Sequence, residues 1–336
     1  MTVDASPSSP PGAGGLPGRD PVVGFIGLGD QGLPMALAIA RAGFALHVWA
    51  RRPASLERLS SASGNGPDGP ARATVHPTPA ALAAACDIIA VCVSTDDDLL
   101  SLLGDGIAGS GGLLAGARPG TIVVNHGTGT PAGSRHLAEV CAAAGVGYVD
   151  APVSGGRPAA EARSLTVLAG GADEAVERCR AVFASFAGHI VPMGPVGSGQ
   201  TAKLFNNVLL SLNQAAIGEV VRLASAGGTD PDRLVEALRA GSGSSRALTL
   251  LGEMVNPATV RHLAAVEDLD VDLFASAMDE AGLDAGAVVA RAHEGARGLP
   301  ALVDSLPLTA AGRPPRTTES AGGFSSLDPK QREERS

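Results

Sequence analysis

The sequence predicts an α/β fold in which a doubly wound, mostly parallel sheet is joined by one long helix to an all-α C-terminal part. Three observations carry this. Short apolar runs alternate with helical stretches from residue 22 to about residue 194. From Ser198 to about Ala226, Phe205, Val208, Leu209, Leu212, Ala216 and Leu223 recur at helical spacing, and no Pro interrupts them. Beyond Ser198 strand signals vanish.

In chain order, residues 1–20 are rich in Pro, Gly and Ser and are expected to be a disordered tail. Strands are expected over Val22–Ile26, Phe44–Ala50, Asp87–Val93, Thr121–Asn125, Tyr148–Ala151, Leu165–Leu168 and His189–Val191. Helices are expected over Leu33–Ala42, Pro131–Ala144 and Asp173–Ala187, with a loose loop over Ser60–Pro70. The long helix follows, with Ser198 as a candidate cap and Gly227-Gly228 as its stop. Helices are expected at Asp232–Arg239, Leu248–Val255, Leu269–Ala281 and Ala285–Ala296, and residues 307–336 read as a second disordered tail. The expected domains are therefore 21–197 and 198–306.

With 336 residues, 45% hydrophobic and 18% charged, the chain can bury two cores. A net charge of −9 argues against nucleic acid as a partner. Cys86, Cys92, Cys141 and Cys179 lack metal-ligand spacing and read as reduced core residues, so no metal is expected. No apolar signal region or membrane-length run is present, and a soluble, cytoplasmic protein is the expectation.

The first expected strand runs into Gly27-Leu28-Gly29-Asp30-Gln31-Gly32, and a helix follows. This is G-x-G-x-x-G in strand–turn–helix context, the fingerprint of a Rossmann dinucleotide site. The first Gly permits the turn, the second lets the backbone approach a pyrophosphate, and the third lets helix pack on strand. After the second strand, where an acid would hold the ribose of NAD, stand Arg51 and Arg52. Two arginines without a carboxylate fit a 2′-phosphate, hence NADP, with NAD still possible. Ser94 and Thr95, at the end of a later strand, could border the cofactor.

Lys203 is one of only two lysines among 25 basic residues, and the other, Lys330, lies in the C-terminal tail. Arg holds its proton permanently, whereas a desolvated Lys can release one. Lys203 and Asn207 are four residues apart on one helix face. Position alone leaves two readings of Lys203, a proton-exchanging amine or an ordinary surface lysine.

Three motifs together, GFIGLGDQGLPMA (24–36), DAPVSGG (150–156) and GPVGSGQTAKLFNN (194–207), resemble the β-hydroxyacid dehydrogenase family over about residues 21–300. The family includes 3-hydroxyisobutyrate dehydrogenase and tartronate semialdehyde reductase. The resemblance implies that Lys203 is the general acid/base and that Asn207 contacts substrate. It also implies that Ser154, Gly155 and Gly156 hold a substrate carboxylate and that Thr128 adjoins the cofactor. Homodimers or homotetramers are implied too. The physics is consistent: a carbonyl accepting hydride develops negative charge that an ammonium stabilises and then neutralises.

Departures from the family pattern set further expectations. Gly127 stands where a substrate-contacting serine is usual in Asn125-His126-Gly127-Thr128, which is expected to enlarge the site. His126 has a structural or a functional reading. Arg163 replaces a usual turn glycine. Glu267-Asp268-Leu269 is read as the family's Lys-Asp-Leu, losing a cation near the cofactor. The competing readings are an imine reductase, which Lys203 disfavours, and a non-catalytic NADP-binding regulatory protein. A 6-phosphogluconate dehydrogenase would need a much longer helical domain.

Overall fold

The computed structural model describes residues 19–64, 72–104 and 111–306. Of the expected tails, residues 1–18 and 307–336 lie outside them, as do residues 65–71, whereas Arg19 is placed and pairs with Asp87 at 3.1 Å. At the centre of the sheet is β1 (Val23–Ile26), flanked in parallel by β2 (Leu46–Trp49) and β4 (Ile88–Val91). With β3 (Ala73–Val75), β5 (Ile122–Asn125) and β6 (Gly147–Asp150), the parallel order is β3-β2-β1-β4-β5-β6. This is the doubly wound order of dinucleotide-binding sheets. Every residue of β1, β4 and β5 is buried because helices cover both faces, which explains their unbroken apolar runs.

The far edge departs from pure parallel pairing. β8 (Leu165–Gly170) runs antiparallel to β6 and to the two-residue β7 (Val153–Ser154), while β9 (Ala187–Gly194) is parallel to β8. The expected helices appear as α1 (Gly32–Arg41), α6 (Pro131–Ala143) and α8 (Asp173–Ala184). Five more were not anticipated: α2 (Pro53–Ser63), α3 (Pro79–Ala85), α4 (Asp96–Leu103), α5 (Leu113–Gly116) and α7 (Gly156–Glu161). At 4 to 11 residues, each shows too few apolar periods to stand out in the sequence. Local chemistry fixes their starts: Pro begins α2 and α3, and the hydroxyls of Thr78 and Thr95 cap α3 and α4. Ser60–Ser63 thus belongs to α2 and not to a loop, because Leu56, Leu59 and Ala62 pack on the core.

The long helix, α9 (Ser198–Ala226), matches expectation in length and stop. Its start does not. The cap position is Gly197, in the left-handed region at φ +92°, and Ser198 makes no capping bond. Asp150 caps the helix from the end of β6: its carboxylate accepts from Gly197 N at 2.8 Å and Gln200 N at 2.9 Å. A partner 47 residues away leaves no local signal.

After α9 come α10 (Pro231–Ala240), α11 (Arg246–Glu253), α12 (Val260–Glu280) and α13 (Gly286–Asp304). α12 and α13 pack along α9, which also touches α6, β6, β8 and β9. α9 therefore belongs to both cores.

Candidate active site

A cleft of about 790 Å³ opens beyond the carboxyl ends of β1, β2 and β4. The structure brings Gly27, Leu28, Gly29, Arg51, Arg52 and Ser94 to it. The motif glycines divide their work as their spacing suggests. Gly27 has φ +97°, and a Cβ there would lie 2.1 Å from Cys92 O. A Cβ on Gly32 would lie 1.9 Å from Gly27 O, so the third glycine is needed for helix-on-strand packing. A Cβ on Gly29 would meet nothing within 4 Å. Gly29 lines the open cleft, and nothing in the surrounding fold excludes a side chain there.

Other sequence candidates fall outside this cleft. Asp30 is exposed and pairs with Arg58 at 3.2 Å. Gln31 sits at the cap position of α1 without a side-chain capping bond. The Thr95 hydroxyl is engaged at the start of α4, accepting from Asp98 N and donating to Asp98 Oδ2, both at 3.0 Å. Thr128 lies between two peptide groups held by Gln200. Asp98, an acid that the missing carboxylate after β2 did not suggest, lines the cleft from α4.

A second constellation centres on α9. Asn206 Nδ2 donates to Ser154 Oγ at 3.4 Å and to Asn207 Oδ1 at 3.0 Å, and Asn207 Nδ2 donates to Asp270 Oδ2 at 2.7 Å. Lys203 is half-buried on the same face as Asn207. Burial pushes its ammonium below the usual range, and the Asp270 carboxylate opposes that shift. Burial likewise raises Asp270, opposed by Lys203 and by Asn207. Both groups move toward neutrality because desolvation outweighs their attraction. Lys203 is thus an amine whose ammonium form burial disfavours and the Asp270 charge favours.

The turn Ser154-Gly155-Gly156 has φ +127° at Gly155 and +67° at Gly156, which any β-carbon would strain. A Cβ on Gly156 would lie 2.6 Å from Met254 Sδ, so the helical part closes directly on this turn. Gln200, fully buried, reaches the third loop of the site. Its Nε2 donates to Gly127 O at 2.8 Å, and its Oε1 accepts from Gly129 N at 2.9 Å.

Two expectations are corrected, for Gly127 and Glu267, and one open reading, for His126, is decided. Gly127 does not enlarge the site: a Cβ there would lie 2.5 Å from Val93 O and 3.2 Å from Asn125 Oδ1. The space a side chain would enter is already filled by backbone. His126 is structural. Its Nδ1 donates to Ala151 O at 2.7 Å, Phe183 and Phe186 meet its ring edge-on, and burial pushes it down to about 4, so it stays neutral. Glu267 faces Gln214 inside the helical core and Asp268 faces His293 and Arg297, so neither reaches Lys203. Asp270 does. Setting the Asp of Lys-Asp-Leu on Asp270 puts Leu269, 63% exposed, at the cation's place. The cation is still lost, but one register further on. Arg163 is left-handed at φ +55°, the geometry that favours the glycine it replaces.

Sequence reasoning missed Asp270, Asn206, Gln200 and the role of Asp150. The Asn206-Asn207 doublet and the Asp heading DAPVSGG were visible signals. The other two are defined by partners 63 to 73 residues away.

Comparison with known proteins decides the family. Residues 22–194 match the family model described as the NAD binding domain of 6-phosphogluconate dehydrogenase. Residues 197–297 match that of the NAD-binding part of NADP-dependent 3-hydroxyisobutyrate dehydrogenase. The chain belongs to the β-hydroxyacid dehydrogenase family. As a member it is an NAD(P)-dependent hydroxyacid dehydrogenase that uses a nicotinamide cofactor. Among its relatives, 2-hydroxy-3-oxopropionate reductase of Escherichia coli (strain K12) is 34% identical over 69% of this chain and 74% of its own. The NAD-dependent L-serine dehydrogenase of Pseudomonas aeruginosa is 33% identical over 70% of this chain and 73% of its own. The fold matches that of Mycobacterium tuberculosis 3-hydroxyisobutyrate dehydrogenase, solved with L-serine. The TM-score is 0.71 at 24% identity, covering 88% of this chain and 98% of that one. Among the described residues, no helix is long and apolar enough to cross a membrane.

Proposed function

We propose that this dehydrogenase uses NADP(H) to interconvert a small hydroxy acid and its aldehyde or keto form, with Lys203 as the general acid/base. When bound, the nicotinamide supplies or accepts the hydride. The chain does the rest. Gly29 leaves room for a pyrophosphate against bare backbone, and Arg51 and Arg52 offer charge to a 2′-phosphate. Ser154, Gly155 and Gly156 receive the substrate carboxylate. Asn207, fixed by Asp270, orients the substrate oxygen. In reduction, Lys203 Nζ gives a proton to the carbonyl oxygen as hydride arrives at carbon; in oxidation the neutral amine takes the hydroxyl proton. Asp270 keeps the proton-loaded form accessible despite burial.

The observation that carries this reading is the placement of Lys203 and Asn207 on one face of α9, with Asn207 Nδ2 bonded at 2.7 Å to Asp270, the carboxylate whose charge acts on Lys203. Residues 21–197 and 198–306 form the two domains that enclose the substrate. The free thiols Cys86, Cys92, Cys141 and Cys179 fit the reducing cytoplasm. A second copy of the chain covers the exposed stripe of Phe205, Leu209, Val220 and Leu223 on α9.

The test is Lys203→Arg. Arg keeps the charge but cannot release its proton at accessible pH. We expect single-turnover hydride transfer to fall by about 10² to 10⁴, with NADPH affinity retained. A panel of semialdehydes, glyoxylate and aryl hydroxy acids finds the substrate. NADPH and NADH are titrated in parallel by fluorescence. Near-normal transfer in the variant overturns the acid assignment, and equal cofactor affinities overturn the NADP preference.

A further inference from the structure

One fully buried polar side chain, Gln200, takes no part in the proposed hydride and proton transfer. Both ends of its carboxamide bond across the gap between α9 and the loop after β5. Its backbone N–H goes to Asp150 Oδ2 at 2.9 Å, on the sheet. Its carboxamide spans Thr128, donating to Gly127 O at 2.8 Å and accepting from Gly129 N at 2.9 Å. The same loop is tied on its other side, where Thr130 N donates to Asp96 Oδ2 at 3.0 Å, next to Ser94 and Thr95. Lys203 lies one helical turn beyond Gln200 on α9.

We infer that Gln200 is a positioning residue for hydride transfer: its carboxamide fixes the rotation and height of α9 against loop 127–129, and so sets where the Lys203 amine stands relative to that loop. This rests on the reading of Lys203 as proton donor. The physical argument is geometric. An amide with two antiparallel bonds to one backbone segment admits neither sliding nor rotation without breaking one of them. Asp150 restrains the first turn of α9 only along its axis, through N–H groups that point that way. Rotation about the axis would swing Lys203 in an arc, and at this end of α9 Gln200 adds a polar restraint against it to the packing of the helices and strands around α9. A misplacement of about 1 Å at a reacting group can cost a factor of about 10².

Two variants test this. Gln200→Leu removes both bonds at similar volume. Gln200→Glu keeps the acceptor for Gly129 N but, when ionised, sets an oxygen against Gly127 O. Protonated, its hydroxyl donates to Gly127 O and the clamp is restored. The reaction is reduction of glyoxylate or succinic semialdehyde, whichever the unmodified enzyme reduces faster, with NADPH and with its 4-deuterated form. We expect Gln200→Leu to lose about 10- to 100-fold in single-turnover transfer, with an increased deuterium isotope effect on kcat. NADPH affinity should stay within about twofold, since the phosphate cleft is untouched. Gln200→Glu should be equally slow at pH 8 and recover as pH falls by a larger factor than the rise that protonation of Lys203 gives the unmodified enzyme and Gln200→Leu.

Folded variants with unchanged transfer rates overturn the inference. So does a rate loss matched by the loss of folded protein or NADPH affinity, with no pH rescue in Gln200→Glu beyond the rise in the unmodified enzyme, which would make Gln200 merely structural. If the unmodified enzyme reduces no aldehyde or keto acid at all, the parent reading fails first, and that is seen before any variant is made.

Discussion

Replacing Glu267 by Gln should stabilise the protein at alkaline pH and leave it unchanged at acidic pH. Glu267 on α12 is 7% exposed, and Gln214 Nε2 on α9 donates to its Oε1 at 3.1 Å. Neither Glu267 Oε2 nor Gln214 Oε1 has a hydrogen-bond partner among the described residues. A single proton on Oε2 would serve as donor to the amide oxygen. Burial first, then the nearby Asp270 charge, push Glu267 up from 4.5 to about 7, against the opposing bond from Gln214. A carboxyl whose pKa rises on folding holds its proton more tightly in the folded state. Its contribution to stability is therefore full below pH 4.5 and is lost as pH rises through about 7. At about 1.36 kcal/mol per pKa unit, the loss approaches about 3 kcal/mol. The carboxamide of Glu267→Gln would carry the missing donor at every pH and pair reciprocally with Gln214. Urea-unfolding curves of both proteins at pH 5 and pH 8 provide the assay. The curves should nearly coincide at pH 5, and at pH 8 Glu267→Gln should be more stable by up to about 3 kcal/mol. A difference independent of pH, or a variant weaker at pH 8, would refute the proton-sharing account.

The two motif glycines should separate binding from folding. Gly29→Val meets no neighbouring atom and should leave the melting temperature unchanged while NADPH affinity falls at least tenfold. Gly32→Ala puts a carbon 1.9 Å from Gly27 O and should cost about 1–3 kcal/mol or more; thermal melts and cofactor titration on both check this. Gly127→Ser should destabilise by a similar amount and lower kcat/KM on short and bulky substrates alike, because its Cβ meets Val93 O at 2.5 Å. A gain for short substrates at unchanged stability would show that the position does line the pocket. The exposed apolar stripe on α9 should make the protein at least dimeric by light scattering at micromolar concentration, and a clean monomer would contradict that.

Local pattern was enough for the order of β and α segments, the Gly27–Gly32 turn and the length of α9. Each of these is set by residues within a few positions of one another: apolar periodicity, a Gly-rich turn, the absence of Pro. The helices α2, α3, α4, α5 and α7 escaped because none of them carries an apolar stripe long enough to stand out from its Gly-, Ser-, Ala- or Asp-rich surroundings, and their caps signal only a start. Lys203 and Asn207 were legible because a helix puts residues four apart on one face wherever it goes. What that face looks at was not legible. Asp270 rather than Glu267 opposes Lys203 because of how α12 is rotated against α9, and a helix carrying Glu267, Asp268, Asp270 and Asp272 could present any of them. The effect of Gly127 was misread for the same reason: the sequence shows which side chain is missing, but only the approach of Val93 O shows that no space was left for one. Spacing along the chain thus determined the fold class and which groups carry the chemistry. Packing between distant segments, through Asp150, Gln200 and Asp270, decided where those groups stand and how strongly burial shifts their protons.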